Sequence, residues 1–313
     1  MLPWAGWDLS TIFGHFLDNS MTNHNQPIGV FDSGVGGLTV LRAMYRQLQD
    51  ESVLYFGDTA RLPYGTRSPQ DIRQFVREIL LWMAQARVKM AIVACNTSSA
   101  LALEAVRSEF DFPILGLILP GARAAVGCGQ RIGVIATPAT AASGAYRQAI
   151  LEMNPSAQVW EMGCPEFVPL IEGDRIHRPE TREIIREYLQ PLLQQRIDTL
   201  VYGCTHYPLL EPVLRQLLPP EVTLVDPATY VVEAAAQELD LLGLRATPGR
   251  AMTRFGVSGC PETFANLSRQ WLGFVPEVEQ VILPDLGPSL PSTESVEPVV
   301  DRVYRVVESR EAS

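Results

Sequence analysis

Short unbroken apolar runs alternate along this chain with stretches whose apolar residues recur at helical spacing. Pro27 to Phe31, Val53 to Phe56, Ala91 to Ala94, Ile132 to Ala136 and Thr199 to Tyr202 are runs of the first kind, each closed by small or polar residues. Such runs show no alternation of polar and apolar positions, so they predict strands buried on both faces, the pattern of a parallel sheet covered by helices. Ser68-Pro69-Gln70-Asp71 opens one of those helices, with serine at the cap, proline in the first turn and aspartate at the third position. Ile72, Phe75, Val76, Ile79 and Met83 give that helix its buried face. Phe112 to Leu119 predicts a further strand, and Pro120-Gly121 a crossing into a second unit. Beyond it the pattern predicts a helix over 141–152, a strand over 157–162, a carboxylate-bearing loop from Val168 to Asp174 and a helix over 180–195. From Val222 onward it predicts strand, helix, strand, helix and a short last strand.

The elements repeat. Ala91 to Ala94 ends in Cys95-Asn96-Thr97-Ser98, and Thr199 to Gly203 ends in Cys204-Thr205-His206-Tyr207. Each cysteine follows, at a similar distance, a strand with glycine at its second position: Ile28-Gly29-Val30 before Cys95, Ile132-Gly133-Val134 before Cys204. The unit is too long for a solenoid repeat, so the fold expected is α/β: two pseudo-symmetric, doubly wound parallel-sheet domains. Ligands of open parallel sheets bind beyond the carboxyl ends of the strands, so two such domains face to face set the cysteines on opposite sides of one cleft. Buried free cysteine is commonly inert packing, but here polar residues follow where a core would continue apolar.

The expected division is 27–118 plus 230–283 for the first domain and 119–229 for the second, with residues 1–26 a loosely ordered extension and 284–313 a polar tail that ends in a short helix over 299–308. With 313 residues the chain is long enough for two cores, and its 47% hydrophobic and 19% charged residues describe an ordinary globular protein. No apolar run approaches the ~20 residues needed to cross a bilayer, and the N-terminus lacks the pattern of a secretory leader, so the expectation is a cytoplasmic protein with no membrane partner. A net charge of −10 counts against nucleic acid as a partner. Five scattered cysteines without a C-x-x-C pair argue against a disulfide framework and a structural zinc site, so no metal is expected. The glycine-rich turn Gly34-Val35-Gly36-Gly37 fits neither the dinucleotide fingerprint nor a Walker loop.

Four ordered stretches, Val30-Phe31-Asp32-Ser33-Gly34-Val35-Gly36-Gly37-Leu38, Gly57-Asp58-Thr59-Ala60-Arg61-Leu62-Pro63-Tyr64-Gly65, Ala94-Cys95-Asn96-Thr97 and Gly203-Cys204-Thr205-His206-Tyr207-Pro208-Leu209, resemble the glutamate racemase branch of the aspartate/glutamate racemase superfamily. The likeness runs from about residue 27 to about residue 275. It implies a cofactor-independent isomerase, a homodimer, that interconverts L- and D-glutamate and supplies D-glutamate for peptidoglycan.

Racemisation takes a hydrogen from one face of Cα and returns one to the other, which two acid/base groups on opposite walls accomplish most simply. Cys95 and Cys204 fill those roles in this reading, one starting as thiolate and the other as thiol. A helix N-terminus favours an adjacent anion by only ~0.3–1 kcal/mol, too little to hold a thiolate at neutral pH, so each cysteine needs a titratable partner. The resemblance implies Asp32 for Cys95, His206 for Cys204, and Glu172 as a further catalytic group through a Pro-Leu-x-Glu match. Substrate binding falls to Asp32, Ser33, Asn96, Thr97, Thr205, His206 and the backbone around Tyr64 and Gly65, which hold two carboxylates without lysine or arginine. The competing readings are an aspartate racemase, a one-cysteine decarboxylase of the same superfamily, and a ligand-binding or thiol redox protein built on the same cleft.

Overall fold

The computed structural model describes residues 23–249 and 251–284. The first sheet contains β1 (Ile28–Asp32), β2 (Val53–Gly57), β3 (Met90–Val93) and β4 (Ile114–Gly116), and the chain returns to it near its end with β9 (Thr253–Val257) and β10 (Val278–Gln280). The second contains β5 (Arg131–Ala136), β6 (Gln158–Gly163), β7 (Thr199–Gly203) and β8 (Thr223–Val225). Their orders are β10-β9-β2-β1-β3-β4 and β6-β5-β7-β8, and every pairing is parallel. This is the two-sheet α/β architecture expected from the repeat, and helices alternate with the strands.

Matching chemistry positions the central strands. β1, β2, β3 and β7 are buried along their whole length, which is why their sequences carry no polar alternation. The repeated glycines let neighbouring side chains pack close on the strands. A Cβ at Gly29 would lie 2.7 Å from the Met83 sulfur, and one at Gly133 would lie 2.9 Å from Ile197 Cδ1. Met83 belongs to the helix over Pro69–Gln85, whose start carries the expected reciprocal cap. Ser68 Oγ accepts from Asp71 N (3.1 Å) while Ser68 N donates to Asp71 Oδ2 (3.4 Å). Ile72, Val76, Ile79 and Met83 are buried and Phe75 packs beside them.

In order, the helices are α1 (Leu38–Gln47), α2 (Pro69–Gln85), α3 (Asn96–Leu101), α4 (Leu103–Val106), α5 (Ile118–Cys128), α6 (Pro138–Ser143), α7 (Ala145–Met153), α8 (Phe167–Glu172), α9 (Pro179–Gln194), α10 (Glu211–Leu217), α11 (Pro227–Leu241) and α12 (Pro261–Leu272). Helix α11 leads from the second sheet to the first and packs on α1 of one and α5 of the other.

Several expectations change. The run 112–119 is a strand only over Ile114–Gly116, and α5 begins at Ile118, so Pro120 and Gly121 lie inside a helix rather than at a turn. Proline is tolerated there because the first-turn N–H groups have no intrahelical partner to lose. The stretch Val168 to Glu172 is the body of α8 and not a loop, with Pro169 in its first turn and Gly173 just past its end. The helix expected over 141–152 is two helices, because Gly144 adopts a left-handed φ of 67° between them. Of the N-terminal segment, residues 23–26 are tied down: Lys89 Nζ donates to His24 O at 2.6 Å, and Thr247 Oγ1 bonds Asn25 Oδ1 at 3.1 Å. The tail and its terminal helix lie outside the described residues from 285 onward.

Candidate active site

The two sheets present their carboxyl ends to one another. On the first, Phe31 pairs with Val93, so Asp32, the last residue of β1, and Cys95, just past β3, stand at neighbouring strand ends. On the second, Ala136 pairs with Gly203, so Thr137 and Cys204 emerge together. Contacts between the halves close the space between these ends. Thr205 Oγ1 donates to Asp32 Oδ2 at 3.4 Å, and the Tyr146 hydroxyl donates to Asn96 Oδ1 at 2.7 Å. Thr97, Thr137 and Thr140 form a triangle of hydroxyls, 2.9 to 3.2 Å on each side. A Cβ on Gly36 would lie 2.4 Å from His206 Nδ1, so glycine there is what admits the imidazole of the other half.

The cysteines sit in different surroundings. Cys95 is the N-cap of α3, and its sulfur accepts from Ser98 N at 3.5 Å. Burial, followed by the nearby Asp32 carboxylate and with a smaller push from Cys204, drives its thiol up to about 12 despite that donor. Desolvation thus outweighs the helix terminus, and Cys95 holds its proton. Asp32 is itself pushed up by burial, against the opposing pull of His206 and of the Gly34 and Gly37 N–H groups. Its Oδ1 accepts from Gly34 N at 2.8 Å.

Cys204 does not cap a helix. A 3₁₀ turn, Tyr207–Leu210, intervenes before α10. Its sulfur lies 3.7 Å from His206 Nδ1, and His206 Nε2 lies 3.0 Å from Glu172 Oε1 at the end of α8. Burial pulls the His206 imidazolium down, but hydrogen bonds to Cys204 and Glu172, with the Cys204 and Asp32 charges, override it and raise the group to about 10. A protonated His206 sets a cation against the Cys204 sulfur.

The remaining named residues gather at the same place. Ser33 follows Asp32 and is nearly buried, and Asn96 and Thr97 begin α3. Asn96 Nδ2 is buried with no hydrogen-bond partner among the described residues, a donor available to an acceptor. The Tyr64 hydroxyl is committed to Asp58 Oδ2, so Tyr64 offers the site its backbone, and Gly65 abuts Thr137. Arg61, which lies in the same loop, is not a free cation: its guanidinium pairs with Asp58 at 2.6 Å and with Glu78, and stacks 4.2 Å over the Phe75 ring. Thr137, Thr140, Tyr146 and Gly36 were not among the residues expected. Thr137 stands just beyond β5 where the duplication sets Ser33 just beyond β1, and that correspondence was the available signal. Tyr146 gives none, being one more apolar position of a helix.

Residues 28–235 match the model of the Asp/Glu/Hydantoin racemase family. The chain belongs to that family. Among its relatives, a glutamate racemase of Gloeothece citriformis is 69% identical over 258 residues, 82% of this chain and 93% of that one. Among solved structures, a glutamate racemase isoform of Bacillus anthracis is 36% identical with a TM-score of 0.81, covering 83% of this chain and 99% of the other. The glutamate racemase of Francisella tularensis in complex with D-glutamate is 33% identical with a TM-score of 0.79, covering 83% and 98%. This racemase is therefore an isomerase, built on the fold of the glutamate racemases. Among the described residues no helix is long and apolar enough to cross a membrane, and no group of His, Cys, Asp and Glu is arranged to hold a metal ion.

Proposed function

We propose that the chain interconverts L- and D-glutamate by passing the Cα hydrogen between Cys95 and Cys204, each with its own acid/base partner. The observation that carries this is the contrast between the two sulfurs. One is a buried thiol raised to about 12, and the other stands 3.7 Å from an imidazole raised to about 10. In the resting enzyme Cys204 is the thiolate, paired with the His206 imidazolium that Glu172 orients, and Cys95 is the thiol. For one enantiomer the Cys204 thiolate removes the α-hydrogen: the S–H bond forms, the C–H bond breaks, and the electron pair delocalises into the α-carboxylate. Cys95 then delivers its proton to the opposite face and becomes the thiolate. The mirror-image substrate runs the same steps in reverse from the exchanged state, with Cys95 as thiolate and Cys204 as thiol, and the resting state returns when Cys204 releases its proton to solvent and Cys95 takes one from it.

Neutral donors hold the two carboxylates: the Ser33, Thr97 and Thr205 hydroxyls, Asn96 Nδ2, and the backbone N–H groups around Tyr64 and Gly65. Fixed cations would tighten the ground state as much as the transition state, with no gain in turnover. The closed cleft excludes water and strengthens each of these bonds as charge develops. We assign domain boundaries at 27–118 plus 230–283 and at 119–229. We further propose that it acts in the cytoplasm as a homodimer and supplies D-glutamate to peptidoglycan, as the resemblance implies.

Circular dichroism of L-glutamate incubated with the purified protein, with no cofactor added, tests the reading. The signal should decay to zero as the racemate forms. A stable L-glutamate signal beside a folded protein would refute it, and decay with aspartate instead would move the substrate assignment.

A further inference from the structure

His206 belongs to the second half of the molecule, yet the groups that confine its ring from outside the Cys204–Glu172 line belong to the first. Gly36 lies against Nδ1, where even a methyl group would approach to 2.4 Å. Trp271, near the end of α12, meets the imidazole edge to face, with centroids 5.4 Å apart and planes at 89°. Both side chains are almost fully buried, His206 at 4% exposure and Trp271 at 2%. The indole Nε1 is buried with no hydrogen-bond partner among the described residues, so the ring is held there by packing and at a polar cost.

Perpendicular aromatic contacts fix ring orientation as well as burying area. An imidazole that must keep one nitrogen on a sulfur and the other on a carboxylate tolerates little rotation about its χ angles. From this we infer that Trp271 is a positioning residue for the Cys204 half-reaction. It holds His206 in line with Cys204 and Glu172 and seals that line from water, only when the two halves are closed. The indole touches no reacting atom and acts through His206. The inference rests on the two-thiol reading above.

The test uses Trp271→Leu, Trp271→Phe and Cys204→Ser in the full chain, with L- and D-glutamate deuterated at Cα. Trp271→Leu, which fills most of the space without a ring, should lower kcat about tenfold. Its primary isotope effect should rise for the enantiomer whose hydrogen Cys204 removes and fall for its mirror image. Trp271→Phe should restore most of the rate. A purely structural role would slow both enantiomers alike and leave both isotope effects at the wild-type values, and that result overturns the inference. Equal loss in the Leu and Phe variants overturns it too. Should the Leu variant not fold, the Phe variant decides: a smaller one-sided shift supports the inference, and none refutes it. Cys204→Ser separates the two levels. A one-sided shift there, with none in the Trp271 variants, removes only this inference, whereas a symmetric response in Cys204→Ser removes the two-thiol reading itself.

Discussion

The wall around Cys95 and the wall around Cys204 are built on the same strand-and-cysteine pattern, and they surround the sulfur with different groups. At Cys95 the chain folds straight into a helix, buries the sulfur and sets the Asp32 carboxylate beside it, so the proton stays. At Cys204 a 3₁₀ turn replaces the helix start and brings in His206, which a second carboxylate supports from behind. On the proposed mechanism, a symmetric fold thus yields an asymmetric resting state. One thiolate and one thiol are what a hydrogen transfer between two faces requires, and identical surroundings would leave both sulfurs in the same state.

The strongest way to break the comparison is to remove either sulfur. Cys95→Ala and Cys204→Ala should each lower racemisation of glutamate by roughly 10²–10⁴-fold or more, with unchanged far-ultraviolet dichroism, as measured by the decay of glutamate ellipticity. Next in size is Glu172→Gln, which weakens a charge-assisted hydrogen bond to His206. A loss of about 1.5–3 kcal/mol corresponds to roughly ten- to hundred-fold in kcat, and Cys95-side variants should not reproduce its effect on the pH profile. That profile sharpens the contrast further. Because the folded His206 group is raised to about 10 from 6.5, its contribution to stability is complete below about 6.5 and is lost as pH rises through about 10. Activity should fall over the same alkaline limb, and His206→Asn should abolish that limb.

The smallest expected effect lies away from both sulfurs. Asp226 caps α11, accepting from Ala228 N at 3.0 Å, and burial raises its carboxyl to about 6 from 3.8. Asp226→Ala should cost ~1 kcal/mol of stability in urea unfolding through the lost cap. Since the raised group penalises its ionised form, Asp226→Asn should be neutral or stabilising above pH 6 and should leave the Cys95–Cys204 asymmetry intact.

Much of this was legible in the chain itself, for identifiable reasons. Unbroken apolar runs ending in Cys95 and Cys204 announce buried parallel strands, and the repeat of Gly29 and Gly133 announces two sheets. The Ser68 to Asp71 cap is a local signal and held to the residue. The run 112–119 was not decidable by periodicity, because a buried strand and a buried helix start are alike over so few residues, and Pro120 reads as a breaker unless it falls in a first turn. Glu172 carried no chemical signal of its own: its place on His206 depends on α8 being a helix. Tyr146 and Trp271 look like core positions in sequence and gain their roles only from what lies opposite in the other half. Nothing in the two cysteine stretches says that Asp32 lies beside one sulfur and His206 beside the other with a carboxylate behind it; that difference comes from the fold.

The most direct test of the central claim is the fate of the Cα hydrogen in D₂O. Each enantiomer should give, from the first turnovers, an opposite-handed product carrying solvent deuterium, while the unreacted substrate keeps protium. A product of inverted hand that retains the substrate's own hydrogen would mean one base serving both faces, and would contradict the division of labour between Cys95 and Cys204.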